Sequence, residues 1–286
     1  MPLTFAGTFR AHAQRILALV LDPGGLALLT ACKDVVRWWD LAGGHLEREL
    51  RLGTFQGRPI HAAAFSPDAA RLLVCRGAPQ GGRAVLEVHH LGSGAREVSV
   101  QRSLAAASVA LALHPDGHRA TLALPDRLDV VDLATGAGLW SGSTAAASAF
   151  TRDGSRLVSL ARGRTRGVVA PGFGGSELLV RDLDPAAPPR ATRLALDAFA
   201  LAVHPDGARV LLAGEHLPTA AEPDARGLVF VTHRIDDGAR IAVADIDIDP
   251  VTALSFGPLP QGPAATSRIA LGHAEGNVTL ADWSLA

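Results

Sequence analysis

The chain has no tyrosine, one methionine and two cysteines in 286 residues. Lys33 is its only lysine and Asn277 its only asparagine. Two cysteines cannot supply a disulfide framework, and Cys32 and Cys75, one position out of register in neighbouring repeats, read as buried reduced thiols. A net charge near -1 leaves no field for a polyanion, so neither nucleic acid nor anionic lipid is an expected ligand. No apolar run approaches the roughly 20 residues needed to span a membrane. The first residues, MPLTFAGTFRAHAQR, lack a charged leader followed by an apolar core, so no signal peptide is expected and the location is expected to be cytoplasmic. The scarcity of lysine beside abundant arginine reads as the codon bias of a GC-rich, bacterial genome. What remains, 48% apolar and 19% charged, is the composition of a folded protein.

The stretch from His12 to Asp40 sets the pattern. It divides into three short strands: Ile16 to Leu21, then the turn Asp22-Pro23-Gly24-Gly25, Leu26 to Ala31, a second turn at Cys32 to Asp34, and Val35 to Asp40. Both faces of each strand are apolar, so each small sheet must be covered on two sides. A lone sheet cannot achieve that, whereas a ring of sheets packed face to face can.

The first turn recurs as VLDPGG, AFSPDA, ALHPDG, AFTRDG, AVHPDG and SFGPLP, beginning at Val20, Ala64, Ala112, Ala149, Ala202 and Ser255. Six copies spaced by roughly 37 to 53 residues fit four-stranded blades. Third strands end at Asp40-Leu41, His90-Leu91, Asp132-Leu133, Asp182-Leu183, Ile235-Asp236 and Asp282-Trp283. Outer strands are expected over 45–52, 95–100, 137–143, 190–196 and 239–246. The sixth copy reaches Ala286 without an outer strand, and Leu3 to Arg10 has the length and alternation to supply it. The fold expected is all-β: a six-bladed β-propeller over residues 1–286 with blades at about 14–52, 58–101, 107–143, 145–196, 198–247 and 250–285, closed into a whole ring by residues 3–10. A seventh blade would need two extra strands concealed between Arg156 and Asp182, where only one hairpin turn occurs.

Ala11-His12, the Asp22-Pro23-Gly24-Gly25 turn and Trp39-Asp40 together resemble a WD-repeat, with its Gly-His-like start, Ser-Pro-Asp-Gly-like turn and Trp-Asp finish. The resemblance spans the chain and is strong only in the first copy. It implies that His12, Thr30, Asp34 and Trp39 form the family's hydrogen-bonded tetrad, a buried chain that holds a blade together and is architectural, not catalytic. The connection from Asp34 to Trp39 is one residue shorter than usual. Proteins resembling this family in bacteria serve as scaffolds or sensor subunits of larger assemblies, including signalling and defence systems. The Ser-Pro-Asp-Gly-like turn is also shared by periplasmic propellers of the Tol system, which the lack of an export signal disfavours.

The innermost strands of such a ring are ILALVL, IHAAAF, SVALAL, AASAF, FALAV and VTALSF. None carries a carboxylate and only His61 ionises, whereas six-bladed metal-dependent lactonases gather several ligands there. No enzyme activity, metal or cofactor is therefore expected. The alternative is a six-bladed hydrolase or small-ligand binder using the channel mouth. Asp245, Asp247 and Asp249 alternate with isoleucine, as a solvated outer strand does. His89 and His90 point to opposite faces, and His114 and His204 occupy a turn position at the rim.

Three second-to-third strand connections are long: Arg76 to Arg83, Ala161 to Ser176 and Gly214 to Arg226. Alternating strand direction puts all of them on one face of the ring, and long loops on a rigid scaffold commonly carry binding. The side chains expected to meet one or more partner proteins are Arg76, Arg83, Arg162, Arg164, Arg166, Phe173, Glu215, His216, Glu222, Asp224 and Arg226, a surface of mixed charge with Phe173 as anchor.

Overall fold

The structure is a computed structural model that describes residues 3–53, 58–77, 82–104, 110–124, 127–142, 145–162, 175–183, 188–216, 228–246, 251–257 and 266–284. Strand β1 (Leu3–Arg10) precedes the first blade, which holds β2 (Ala18–Leu21), β3 (Ala27–Cys32), β4 (Val35–Asp40) and β5 (His45–Arg51). The second holds β6 (Ile60–Phe65), β7 (Arg71–Gly77), β8 (Gly82–His90) and β9 (Arg96–Leu104). The third holds β10 (Ala110–Leu113), β11 (Arg119–Ala123), β12 (Leu128–Asp132) and β13 (Gly138–Gly142). The fourth holds β14 (Ala147–Phe150), β15 (Arg156–Arg162), β16 (Ser176–Asp182) and β17 (Arg190–Arg193). The fifth holds β18 (Leu196–Val203), β19 (Arg209–His216), β20 (Leu228–Arg234) and β21 (Arg240–Ile246). The sixth holds β22 (Val251–Phe256), β23 (Thr266–His273) and β24 (Asn277–Ser284), and β1 completes it in the order β1-β24-β23-β22.

All six sheets are four-stranded and antiparallel, and no helix occurs among the described residues. The innermost strands contact one another in sequence around the ring, from β2 against β6 to β22 against β2. A six-bladed β-propeller results. The expected ring closure is realised with Leu3 opposite Trp283 and Arg10 opposite Asn277, interrupted by a bulge at Phe5 and Gly7. It is reinforced where the Ala11 and His12 N-H groups both donate to Gly276 O, at 3.0 and 2.9 Å. Gly276 has φ of +86, and a Cβ there would lie 2.2 Å from His12 O, so both the turn and the close approach demand glycine.

The apolar residues on both strand faces form one core between each pair of neighbouring blades. Leu29, Val36, Ile60 and Leu72 fill the junction of blades one and two. Leu73, Leu86, Leu111 and Leu122 fill the next, and Ala11, Ile16, Leu28 and Val278 seal blade six against blade one. Each sheet thus spends both faces on burial, which is why polar alternation is missing from the sequence.

The repeated turn works alike in the first five copies, each with its fourth N-H bonded to its first C=O, and the turn of the sixth lies outside the described residues. In His114-Pro115-Asp116-Gly117 the fourth N-H donates to the first C=O at 2.9 Å, and Gly117 takes φ of +75. The Asp116 carboxylate accepts the N-H of His118 at 2.7 Å. Burial alone would raise its pKa, but bonds from His118 N-H, Arg119 and His114 outweigh it and hold the carboxyl at about 2. His114 and His204, expected as rim residues, are instead buried. His114 Nε2-H donates to Gly154 O at 3.0 Å in blade four, and His204 Nε2 meets Ser267 Oγ at 3.0 Å in blade six. Their rings lie edge-on to Phe150 and Phe256, each at 4.9 Å, so these turns fasten one blade to the next.

Candidate functional site

The six innermost strands enclose a central cavity of about 1060 Å³. Between the mouths its side chains are mainly Ala, Leu and Val, with Ser148 and Ser255 the polar exceptions; among the described residues the charged groups sit at the ends, with Arg15 at one and Asp22 and Arg152 at the other. Matching bulges in β6, β18 and β22 leave His61, Phe199 and Thr252 without a cross-strand partner at the mouth shared with the second-to-third connections. A bulge re-aims the extra side chain, here toward the lumen wall. Burial lowers the His61 pKa, and its Nδ1 has no partner. Among the described residues no three His, Cys, Asp or Glu side chains are grouped to hold a metal. Asp245 is on the exposed outer strand β21 beside His216, while Asp247 and Asp249 lie outside the described residues.

The face expected to bind a partner is built on lengthened strands. In blades one and three, whose connections are short, the second and third strands have five or six residues; in blades two, four and five they have seven to nine, and in blade six, where the connection is short, they have eight because they extend at the opposite end, over Thr266 to Arg268. The extra pairs, Gly77 with Ala84, Arg162 with Ser176 and Glu215 with Leu228, continue each hairpin toward the same face. Arg83 and Glu215 are exposed there, and His216 is half-buried. Arg162 ends β15 on this face. Arg164, Arg166, Phe173, Glu222, Asp224 and Arg226 lie outside the described residues.

Arg76 departs from expectation. It belongs to β7, is 1% exposed, and so cannot offer its charge to a partner at the surface. Its Nε donates to Glu87 Oε2 at 2.7 Å, and Arg96 donates to Glu87 Oε1 at 2.8 Å. His89 Nε2 lies 3.4 Å from the same carboxylate, while His90 is on the opposite face, as the strand period requires. Because Arg76 pairs with Val85 and Glu87 with Val74, the two are diagonal neighbours on the face turned toward blade one. Burial pushes the Glu87 pKa up, and the bonds from Arg76 and Arg96 more than reverse it, so the carboxyl is held below its ordinary value. Burial likewise lowers His89. The sequence offered one sign of this cluster, a single carboxylate inside the apolar run AVLEV.

The structure assembles three members of the expected tetrad and replaces the fourth. His12 Nε2 meets Thr30 Oγ1 at 2.8 Å, and Trp39 Nε1-H donates to the same oxygen at 3.0 Å. The remaining imidazole nitrogen, Nδ1, faces Cys32 Sγ at 3.0 Å instead of Asp34. Cys32 pairs with Val35, which leaves Lys33 and Asp34 as a two-residue turn with Lys33 at φ of +29. That tight turn puts Asp34 at the hairpin tip, where its carbonyl accepts Leu52 N-H at 2.7 Å. With the thiol donating to Nδ1 and Nε2-H donating to the hydroxyl, both ring nitrogens and the indole are satisfied. Burial, aided by Arg37, lowers His12 to about 4, and burial raises the Cys32 thiol. The pair is a neutral imidazole with a protonated thiol, the opposite of the ion pair that activates a cysteine nucleophile.

No family model matches the chain, and no curated protein matches it. Among solved structures, 1078 chains are similar, so the architecture is shared too widely to carry a function with it. One is Kuenenia stuttgartiensis hydrazine synthase, 15% identical, with a TM-score of 0.58 over 92% of this chain and 78% of that one. At that identity the likeness extends to the propeller fold alone.

Proposed function

We propose that this chain is a non-catalytic, WD-repeat-like interaction platform that binds a partner protein through the face bearing the second-to-third strand connections. The reading rests on one observation: blades two, four and five lengthen their second and third strands toward that face, giving long connections a rigid base. A cytoplasmic subunit of a larger bacterial signalling or defence assembly is the setting this suits. The test replaces 163–174 and 217–227 with two-residue turns and compares both forms in affinity purification from the native cell, followed by reconstitution with the purified partner. Loss of the partner with unchanged circular dichroism supports the reading. Equal capture by the truncated form refutes it.

A second reading, a small-ligand site at the channel mouth, is favoured by His61, whose Nδ1 is buried and unpartnered beside the lumen. A His61→Leu variant would lose such a ligand while keeping the partner, which separates the two.

A further inference from the structure

We propose that the face bearing the second-to-third strand connections docks a second copy of this chain, the two copies being related by a two-fold axis that lies in the contact plane. The proposal rests on the reading that this face is the binding face, and it names the occupant. The charges presented there are sorted by blade. In blades one and two they are Arg15, which precedes β2, Lys33 in the turn from β3 to β4, Arg58, which precedes β6, and Arg83 in β8. Arg15, Lys33 and Arg83 are exposed; Arg58 is half-buried and donates to Arg83 O at 3.3 Å. None of the four is held in an ion pair among the described residues. Asp34 is the carboxylate beside them, whereas Glu49 is shared by Arg37 and Arg51, and Glu87 is held by Arg76 and Arg96.

Blade five carries the opposite sign. Asp197 in β18, Glu215 in β19 and Asp245 in β21 are all exposed at the same face, and among its described residues that end of the blade has no lysine or arginine. Asp245 meets His216, but Asp197 and Glu215 stand directly opposite one another in the β18–β19 pairing with no cation between them. Like charges in that position are unfavourable, and a cation from outside the chain would relieve them. In blade six Arg10 and Glu275 offset each other, and in blade four Arg193 lies against Glu177. The innermost strands touch in the order β2, β6, β10, β14, β18, β22, so blades two and five are on opposite sides of the ring. A half-turn about an in-plane axis therefore lays the basic sector of each copy over the acidic sector of the other. The same patch meets itself, which closes the assembly at two. An unrelated partner would need both signs at this spacing, whereas a second copy carries them already. Its net charge of -1 sets up no long-range repulsion between copies.

The experiment is sedimentation equilibrium of the whole chain over a range of concentrations at low and at high salt. One variant reverses the basic sector, Lys33→Glu with Arg83→Glu, and another the acidic sector, Asp197→Lys with Glu215→Lys. All four side chains are exposed, so both variants should fold, and unfolding midpoints will verify it. Arg152→Glu with Arg240→Glu makes the first charge change on the opposite face and is the control. The expected result is a reversible dimer whose dissociation constant rises about tenfold or more from low to high salt, since the contacts are screened over about a Debye length. Each reversed variant alone should dimerise about tenfold or more weakly than the parent, and an equimolar mixture of the two should recover a dimer with one copy of each. The control should dimerise as the parent does and should not rescue the variant reversed in blade five. A dimer indifferent to either reversal, or a mixture that does not associate, overturns the proposal. A monomeric parent overturns it too: if the loop-truncated form still loses its protein partner, the face binds something other than a second copy, and if it keeps that partner, the reading of the face fails as well.

Discussion

Glu87→Leu removes the counter-charge of a guanidinium that water cannot reach. Breaking a buried pair from one side costs about 3–5 kcal/mol, because the surviving charge is left desolvated. Arg76→Met should cost less, about 1.5–3 kcal/mol, since Glu87 would keep Arg96, whose side chain is 45% exposed, and the nearby His89. Replacing both at once, Arg76→Met with Glu87→Leu, exchanges the pair for apolar groups above the core of blades one and two and should fall within about 1 kcal/mol of the parent. The double-mutant cycle should therefore show a coupling of about 3 kcal/mol or more. Urea unfolding followed by the fluorescence of the four tryptophans reads each corner of the cycle, with Tm falling by roughly 6–15 °C for Glu87→Leu. If the double variant loses as much as the two single variants together, the reasoning fails, because burial of an unmatched charge would not be what the single changes introduce.

Deleting residues 3–10 should abolish folding to a monomer, since it strips β24 of its partner and bares the sixth sheet's edge; size exclusion with light scattering checks this, and a monomer with an unchanged urea midpoint would contradict it. Stability should fall as pH drops from about 6.5 to about 4. His12 has a folded-state pKa below its unfolded value, so the unfolded chain takes up the proton first; the contribution is intact above 6.5, and about 3 kcal/mol of it is lost by pH 4. His61, His89 and His233 are shifted in the same direction and add to the slope, and His12→Gln should flatten it measurably in urea titrations across that range. Ala69 occupies the position that glycine fills in four of the sister turns, at φ of +57, so Ala69→Gly should stabilise by about 1 kcal/mol; a lower midpoint would show that the strain is absent.

The ring was legible in the sequence because its punctuation is chemical. Proline and aspartate specify the first hairpin turn in nearly every copy, and the turn sets both blade count and strand direction. The blade-closing role of Leu3 to Arg10 could be read from a missing outer strand at the other end. Pairing register was harder to read. Whether Asp34 or Cys32 faces His12 depends on a turn one residue tighter than the pattern supposes, and one residue of slip exchanges the faces of a strand. Arg76 looked like a loop residue because it begins the polar run RGAPQGGR; only its partner Glu87, eleven positions later, shows that the strand continues through it. For the same reason His114 and His204 read as rim residues, since their partners Gly154 and Ser267 are in other blades. Leu196 was placed in an outer strand, yet it opens β18, because β19 extends to His216 and draws its neighbour along.

Thr8 and Thr279 share a hydrogen bond across 271 positions. During synthesis on the ribosome, the eight residues of β1 must therefore wait until all the blades between them and β24 have been made before their permanent neighbour exists. Until then an apolar ribbon has backbone donors and acceptors unclaimed, and five finished sheets stand as an open arc. Assembly of this protein is thus governed by its slowest and longest-range encounter, and the interval before that encounter is when chaperone protection matters most.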